Sequence, residues 1–152
     1  VHHTPIFALR TEDGPNLVLS HSVDESLRTI AFFDLLANNA DRKAGHVITG
    51  SVLPSTASAD IGIFGIDNGL TFHHEEKLRT VLWGFSRTSF CAEEIDALQE
   101  VAAMEEPLRA QLSDCLSAAE LQALKYRANR LLAAEFFPEA PADRTVIPWP
   151  PI

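Results

Sequence analysis

Apolar and polar positions alternate along the chain in a way that assigns most of its elements. Ser22 stands three residues before Glu25, a capping-box pattern, and Leu27, Ile30, Ala31 and Leu35 follow at helical spacing with Asp34 on the same face. This predicts a helix over about 23–37. Ahead of it, residues 4–9 read as extended and Leu17-Val18-Leu19 as a second apolar run. Asp13-Gly14-Pro15 supplies turn chemistry between them, so residues 1–20 are expected to form a small hairpin or two edge strands. After the helix, residues 38–46 have no apolar periodicity but lie between the helix and the apolar pair Val47-Ile48. A dense polar loop between buried elements is where chemistry tends to sit. Residues 50–60, rich in Ser, Ala and Thr with Pro54, read as a loop joining Val47-Ile48 to a second strand over 61–66, which ends in Asp67-Asn68-Gly69. Gly62 and Gly65 weaken that strand, so the backbone there either bends or approaches a neighbour closely.

The second half reads as helical. Ile95, Leu98, Val101, Ala102 and Met104 predict a helix over 92–104, and Pro107 opens a short one to about 114. Ser117 and Glu120 form another capping box ahead of a stripe at Leu121, Leu124, Ala128, Leu131, Leu132 and Phe136. Trp83 and Phe85, two apart, are expected to pack on one strand face. The proline-dense tail, 138–152, is expected to lie extended over the helices, anchored by Trp149. The pattern as a whole predicts one mainly helical α+β domain over 1–152 with small β-hairpins.

Composition narrows the function. With 46% hydrophobic and 22% charged residues in 152, the chain can build a core. Its formal charge of −9 and only three lysines, Lys43, Lys77 and Lys125, leave no basic face to neutralise a phosphate backbone, so nucleic acid is excluded as the first partner. Cys91 and Cys115 lack both disulfide-framework and zinc-knuckle spacing, which suits a reducing setting. The apolar runs fall far short of the roughly 20 residues a transmembrane helix needs. A cytoplasmic protein without a transmembrane segment is expected.

Two acidic positions carry the candidate chemistry: Asp41 in Asn39-Ala40-Asp41-Arg42, and Asp67 in Ile66-Asp67-Asn68-Gly69. One follows a helix and the other a strand, with a predicted hairpin between them. Phosphoryl transfer uses one carboxylate to orient the acceptor hydroxyl and another to hold the magnesium that bridges ATP phosphates. The stretches Phe33-Asp34-Leu35-Leu36-Ala37-Asn38-Asn39-Ala40-Asp41-Arg42-Lys43 and Gly65-Ile66-Asp67-Asn68-Gly69-Leu70-Thr71-Phe72 carry a resemblance to the C-terminal lobe of the protein-kinase-like superfamily. In detail the chain is similar to actinobacterial phosphatidylinositol 3-/4-kinase-like proteins. Their motif pair is followed by a segment like Lys77-Leu78-Arg79-Thr80-Val81-Leu82-Trp83-Gly84 and a tail like Ile147-Pro148-Trp149-Pro150-Pro151. The resemblance covers nearly the whole chain.

It implies that Asp41 is the catalytic-loop aspartate with Arg42 its structural companion, and that Asp67 is a metal ligand for Mg2+ or Mn2+. Asn39 and Lys43 would contact ATP. His46 stands where related kinases place the asparagine that is their second metal ligand, leaving His46 or Asn39 to complete the shell. It further implies an N-terminal lobe with a phosphate-covering loop and a strand lysine. None of the seven glycines forms such a loop, and none of the three lysines lies on such a strand. With Val at position 1, the expectation is a kinase-like C-lobe whose N-lobe is absent from this chain, residues 1–20 lying at the hinge. The partners expected are that lobe, or a second copy, on an exposed inter-lobe face. The acceptor would be a hydroxyl of a protein, small molecule or inositol lipid. The contrasting reading is a pseudokinase scaffold or binding module. A metal hydrolase built on His73-His74-Glu75-Glu76 is weaker, since adjacent side chains diverge and no HExxH spacing is present. Lys77 and Arg79 would either meet an acidic acceptor or pair with Glu75 and Glu76.

Overall fold

A computed structural model describes residues 3–9, 14, 17–51 and 61–152. The first hairpin pairs β1 (His3–Leu9) with β2 (Leu17–Ser22) antiparallel, from His3 opposite Ser22 to Leu9 opposite Leu17, with an irregularity between Pro5 and Phe7. The expected turn residues Asp13 and Pro15, and most of the 50–60 loop, lie outside the described residues. Helix α1 (Glu25–Ala37) buries the predicted stripe, Asp34 included. Its cap differs from the expectation: Asp24 accepts from the Leu27 amide at 3.0 Å, while Ser22 Oγ donates to Asp24 at 2.6 Å instead of capping. The helix ends at Asn38 in the left-handed conformation, φ 56°.

The second hairpin joins β3 (Val47–Gly50) and β4 (Gly62–Gly65) antiparallel. Gly65 explains its own weakness as a strand residue. A Cβ there would stand 3.2 Å from both Arg42 Nη2 and Ile30 Cγ2, so the glycine lets β4 settle against a buried guanidinium. Helices α2 (Ala92–Ala103), α3 (Leu108–Ser113) and α4 (Ala118–Ala134) follow, with the Ser117–Glu120 capping box in place. Among the described residues the fold is thus α+β, four helices with two small antiparallel hairpins.

The core gathers Leu27, Ile30 and Leu35 of α1, Leu98 of α2, and Ala128 and Leu131 of α4. Trp83 and Phe85 join it as expected, but from a 3-10 turn (Trp83–Phe85) and not from a strand. Two stripe positions and the tail's expected anchor depart from the pattern. Ile95 is exposed while its neighbour Glu94 is buried against Arg28, Nη2 to Oε2 2.6 Å. Phe136 is exposed and Phe137 buried, because Glu135 turns left-handed at φ 64° and breaks the helical period. In the tail, Pro148 is fully buried and the expected anchor Trp149 is 70% exposed.

The N-terminal hairpin is fastened to this core through His21. Its Nδ1 lies 2.7 Å from the Ser22 carbonyl, which can only accept, so Nδ1 carries the proton and Nε2 accepts the Gly84 amide at 3.0 Å. A Cβ at Gly84 would sit 2.6 Å from His21 Cε1 and 2.7 Å from Nε2. The ring must swing away, so Gly84→Ala is expected to cost about 1–3 kcal/mol from overpacking and a lost hydrogen bond. Adding His21→Ala removes the obstacle, and the double variant should then lie close to His21→Ala alone. Urea unfolding of the three variants checks this; strictly additive losses would show that the two residues are not coupled.

Candidate active site

The site is assembled around a buried ion pair. Asp34, on the inner face of α1, is fully buried and receives Arg42 Nε at 3.1 Å on both oxygens, Arg42 Nη2 at 3.0 Å, Asn39 Nδ2 at 2.9 Å and Thr80 Oγ1 at 3.0 Å. Burial pushes the Asp34 carboxyl above its usual range, opposed by the Arg42 guanidinium and then by Asn39 and Thr80. Arg42 uses its remaining donors on the acidic turn: Nη1 reaches the Ile66 carbonyl at 2.7 Å and the His46 carbonyl at 3.3 Å, and Nη2 reaches Asn68 Oδ1 at 2.6 Å. One guanidinium therefore ties the helix, the loop and the turn after β4 together. Its backbone extends the linkage, donating to the Arg79 carbonyl and accepting from the Val81 amide.

On this frame the two aspartates face outward. Asp41 is 26% exposed in its side chain, with Lys43 Nζ 3.1 Å from Oδ2. Its amide donates to Asn39 Oδ1 at 3.0 Å. Asp67 is left-handed, φ 53°, and its side chain is 66% exposed. His46 joins them. Its Nδ1 lies 2.9 Å from the Asp41 carbonyl and its Nε2 lies 3.4 Å from Asp67 Oδ2. Since the carbonyl only accepts, Nδ1 carries a proton, and Nε2 is the nitrogen turned to the Asp67 carboxylate.

Asp67 Oδ2 and His46 Nε2 are the pair of groups here that could contribute to holding a divalent ion, as in magnesium sites with few protein ligands. The imidazole member suits manganese better. Among the described residues no three His, Cys, Asp or Glu side chains converge as a self-sufficient metal cluster. Asn39, the other candidate ligand, is 0% exposed with both ends of its amide engaged, so it positions Asp41 and Asp34 from inside the fold. Asn38 does the same for the following segment, donating to the carbonyls of His73 and Glu75 and accepting from the Lys77 amide.

Two positions that sequence reasoning did not single out, Asp34 and Thr80, complete the frame; a carboxylate within an apolar stripe was the signal for the first. The His73 and His74 rings stack at 4.5 Å and 19°, correcting the expectation that they diverge. Lys77 pairs with Glu75 at 3.4 Å, while Glu76 meets Arg130 and Arg144 and not Arg79.

Fold and site define a small mixed α+β domain in which a buried Asp-Arg pair presents two outward carboxylates bracketing a histidine. The chain is 38% identical over 149 residues to Protein Rv2133c of Mycobacterium tuberculosis, a match covering 97% of this chain and 50% of that protein. The chain thus spans about half the length of this curated relative. No family model matches the chain, and no solved structure does. Among the described residues no helix is long and apolar enough to cross a membrane.

Proposed function

We propose that the chain carries the acceptor-orienting and metal-holding half of an ATP-dependent phosphotransferase site, as a kinase-like C-lobe. The observation that carries this reading is the His46 ring, held between the Asp41 carbonyl and the Asp67 carboxylate so that both motifs meet at one histidine. Asp41 accepts the proton of an acceptor hydroxyl and fixes its direction of attack. Asp67 Oδ2 and His46 Nε2 hold Mg2+ or Mn2+, and Lys43, beside Asp41, reaches a nucleotide phosphate. When bound, the ion neutralises charge on the transferring phosphates. The acceptor is a hydroxyl of a protein, small molecule or inositol lipid. Exposed Ile66 and Leu70 flank Asp67, and Ile48 and Val18 are exposed on the two hairpins. These apolar side chains suit contact with an N-terminal lobe or with a second copy.

The competing reading is a non-catalytic scaffold or binding module. What favours it is that Asn38, Asn39 and Arg42 are all spent on holding the fold. Calorimetric titration of Mg-ATP and Mn-ATP into the chain, and into a form extended N-terminally, separates the two. Binding in the extended form is expected to weaken at least about tenfold in Asp67→Ala, equivalent to roughly 1.4 kcal/mol. Asp67 is exposed but left-handed, a conformation alanine tolerates less well, so the melting temperature should fall only slightly. No binding in either form would favour the scaffold.

A further inference from the structure

Away from the aspartates, a cavity of about 270 Å³ lies between α4 and the C-terminal tail. Leu35, Leu78, Trp83 and Leu131 form its apolar wall, and Pro138 and Pro141 of the tail also line it. Arg127 lines it as well. This arginine is 6% exposed, which is unusual for a charged side chain, and burial pulls its guanidinium below the ordinary value while Glu76 opposes that shift. Nε donates to the Leu36 carbonyl at 2.9 Å and Nη1 to the His73 carbonyl at 3.2 Å. Among the described residues, Nη2 is the buried side-chain polar atom with no hydrogen-bond partner. A buried charged donor left unpaired is costly, so such a group marks a place for a missing acceptor.

The rim supplies the rest of the recognition chemistry. Arg130 and Arg144 each reach Glu76 only at long range, 3.5 and 3.4 Å, and Arg144 also donates to the Leu78 carbonyl at 3.1 Å. Glu139 is occupied by Arg87 at 2.7 Å. Asp143 is the remaining acid at the rim. In the lining, Arg127, Arg130 and Arg144 thus stand against Glu76, Glu139 and Asp143, three of each sign, with Glu139 taken up by Arg87 from outside the cavity. We propose that this cavity binds a small monocarboxylate with an apolar body, its carboxylate on Arg127 Nη2 and Arg130 and its body against Trp83 and Leu131. A lining with balanced charge and a single uncommitted nitrogen on Arg127 match a monoanion better than a phosphate dianion. The volume admits a ring or short aliphatic chain and little more. The inference is independent of the phosphotransferase reading, since no residue is shared with that site.

The test uses phenylacetate, the isosteric neutral phenylacetamide, and inorganic phosphate as probes on the full chain carrying Trp149→Phe, so that Trp83 is the lone tryptophan. Phenylacetate is expected to change Trp83 emission saturably and to raise the melting temperature, while phenylacetamide binds at least about tenfold more weakly. Arg130 is largely exposed, so Arg130→Gln should fold normally and weaken phenylacetate at least about tenfold without changing the amide. Arg127→Gln removes the buried donor itself, and Arg130→Gln keeps the test decisive if that variant does not fold. Equal binding of acid and amide, tighter binding of phosphate, unchanged affinity in Arg130→Gln, or no saturable response overturns the proposal and leaves a water molecule as the partner of Nη2.

Discussion

Replacing Arg42 by Met is expected to destabilise the chain by about 3–5 kcal/mol, because it leaves the buried Asp34 carboxylate without its counter-charge. The two side chains are 1% and 0% exposed, so solvent screening does not soften the loss. That cost is a large share of the roughly 5–15 kcal/mol that holds a domain folded. The double variant Asp34→Leu/Arg42→Met should regain part of it, since removing both ions cancels the desolvation penalty. Recovery should stay incomplete. Arg42 also serves the carbonyls of Ile66 and His46 and the Asn68 amide, and no Leu or Met can donate to them. Urea midpoints for the wild type, each single variant and the double variant measure both effects. A loss below about 1 kcal/mol in Arg42→Met, the range of exposed pairs, would show that the ion pair is not the frame of the site.

The same pair marks the boundary of what the sequence discloses. Asp34 was visible as a carboxylate at an apolar-stripe position, yet nothing in the periodicity names its partner. Arg42 is eight residues away, beyond a left-handed cap at Asn38 that turns the chain back on itself. Thr80 is farther still, brought to Asp34 by a strand-like bridge between its own segment and Arg42. Local signals gave the helices, because capping boxes and 3.6-residue stripes are complete within one element. They failed where the period ends. At Glu135 a left-handed residue exchanges Phe136 for Phe137 in the core, and in the aperiodic tail Pro148 goes inward where the larger Trp149 was expected. At the start of α1 the expected cap, Ser22, gives way to Asp24 two residues on, whose carboxylate accepts from both the Leu27 amide and the Ser22 hydroxyl.

Asp41, His46 and Asp67 were legible as chemistry-bearing residues, and the resemblance implied that His46 or Asn39 stands beside Asp67, but periodicity alone did not say how they meet. The 3-10 turn at Ala44–His46 and the pairing of Val47 with Gly65 bring the histidine beside the acidic turn, and the Ile66 amide bonding to the His46 carbonyl at 2.9 Å fixes the approach. Asn39 shows the converse. As a residue type it is a fair metal ligand, and only its burial reveals that its amide is spent indoors.

The other large effect is expected at Phe85. This ring is 2% exposed, 5.4 Å from the His21 ring and 5.9 Å from Phe137, which in turn lies 4.9 Å from Phe90 and under the Arg28 guanidinium. Phe85→Ala should cost about 3–5 kcal/mol by transfer and cavity terms, with the aromatic contacts adding to it. Leu98→Ala, at a position 0% exposed on α2, should cost a comparable 2–5 kcal/mol, about the usual range for such a truncation. The two should differ in where protection is lost. Phe85 supports His21, the side chain that fastens the N-terminal hairpin to the 3-10 turn, so Phe85→Ala should open β2 locally before the helices unfold. Leu98 sits between α2 and the core, and its truncation should lower protection across the whole domain together. Amide hydrogen exchange over residues 17–22 against 118–134 reads the difference. If Phe85→Ala lowers protection in both segments equally, the hairpin is part of the cooperative core, and His21 is not a separable fastening.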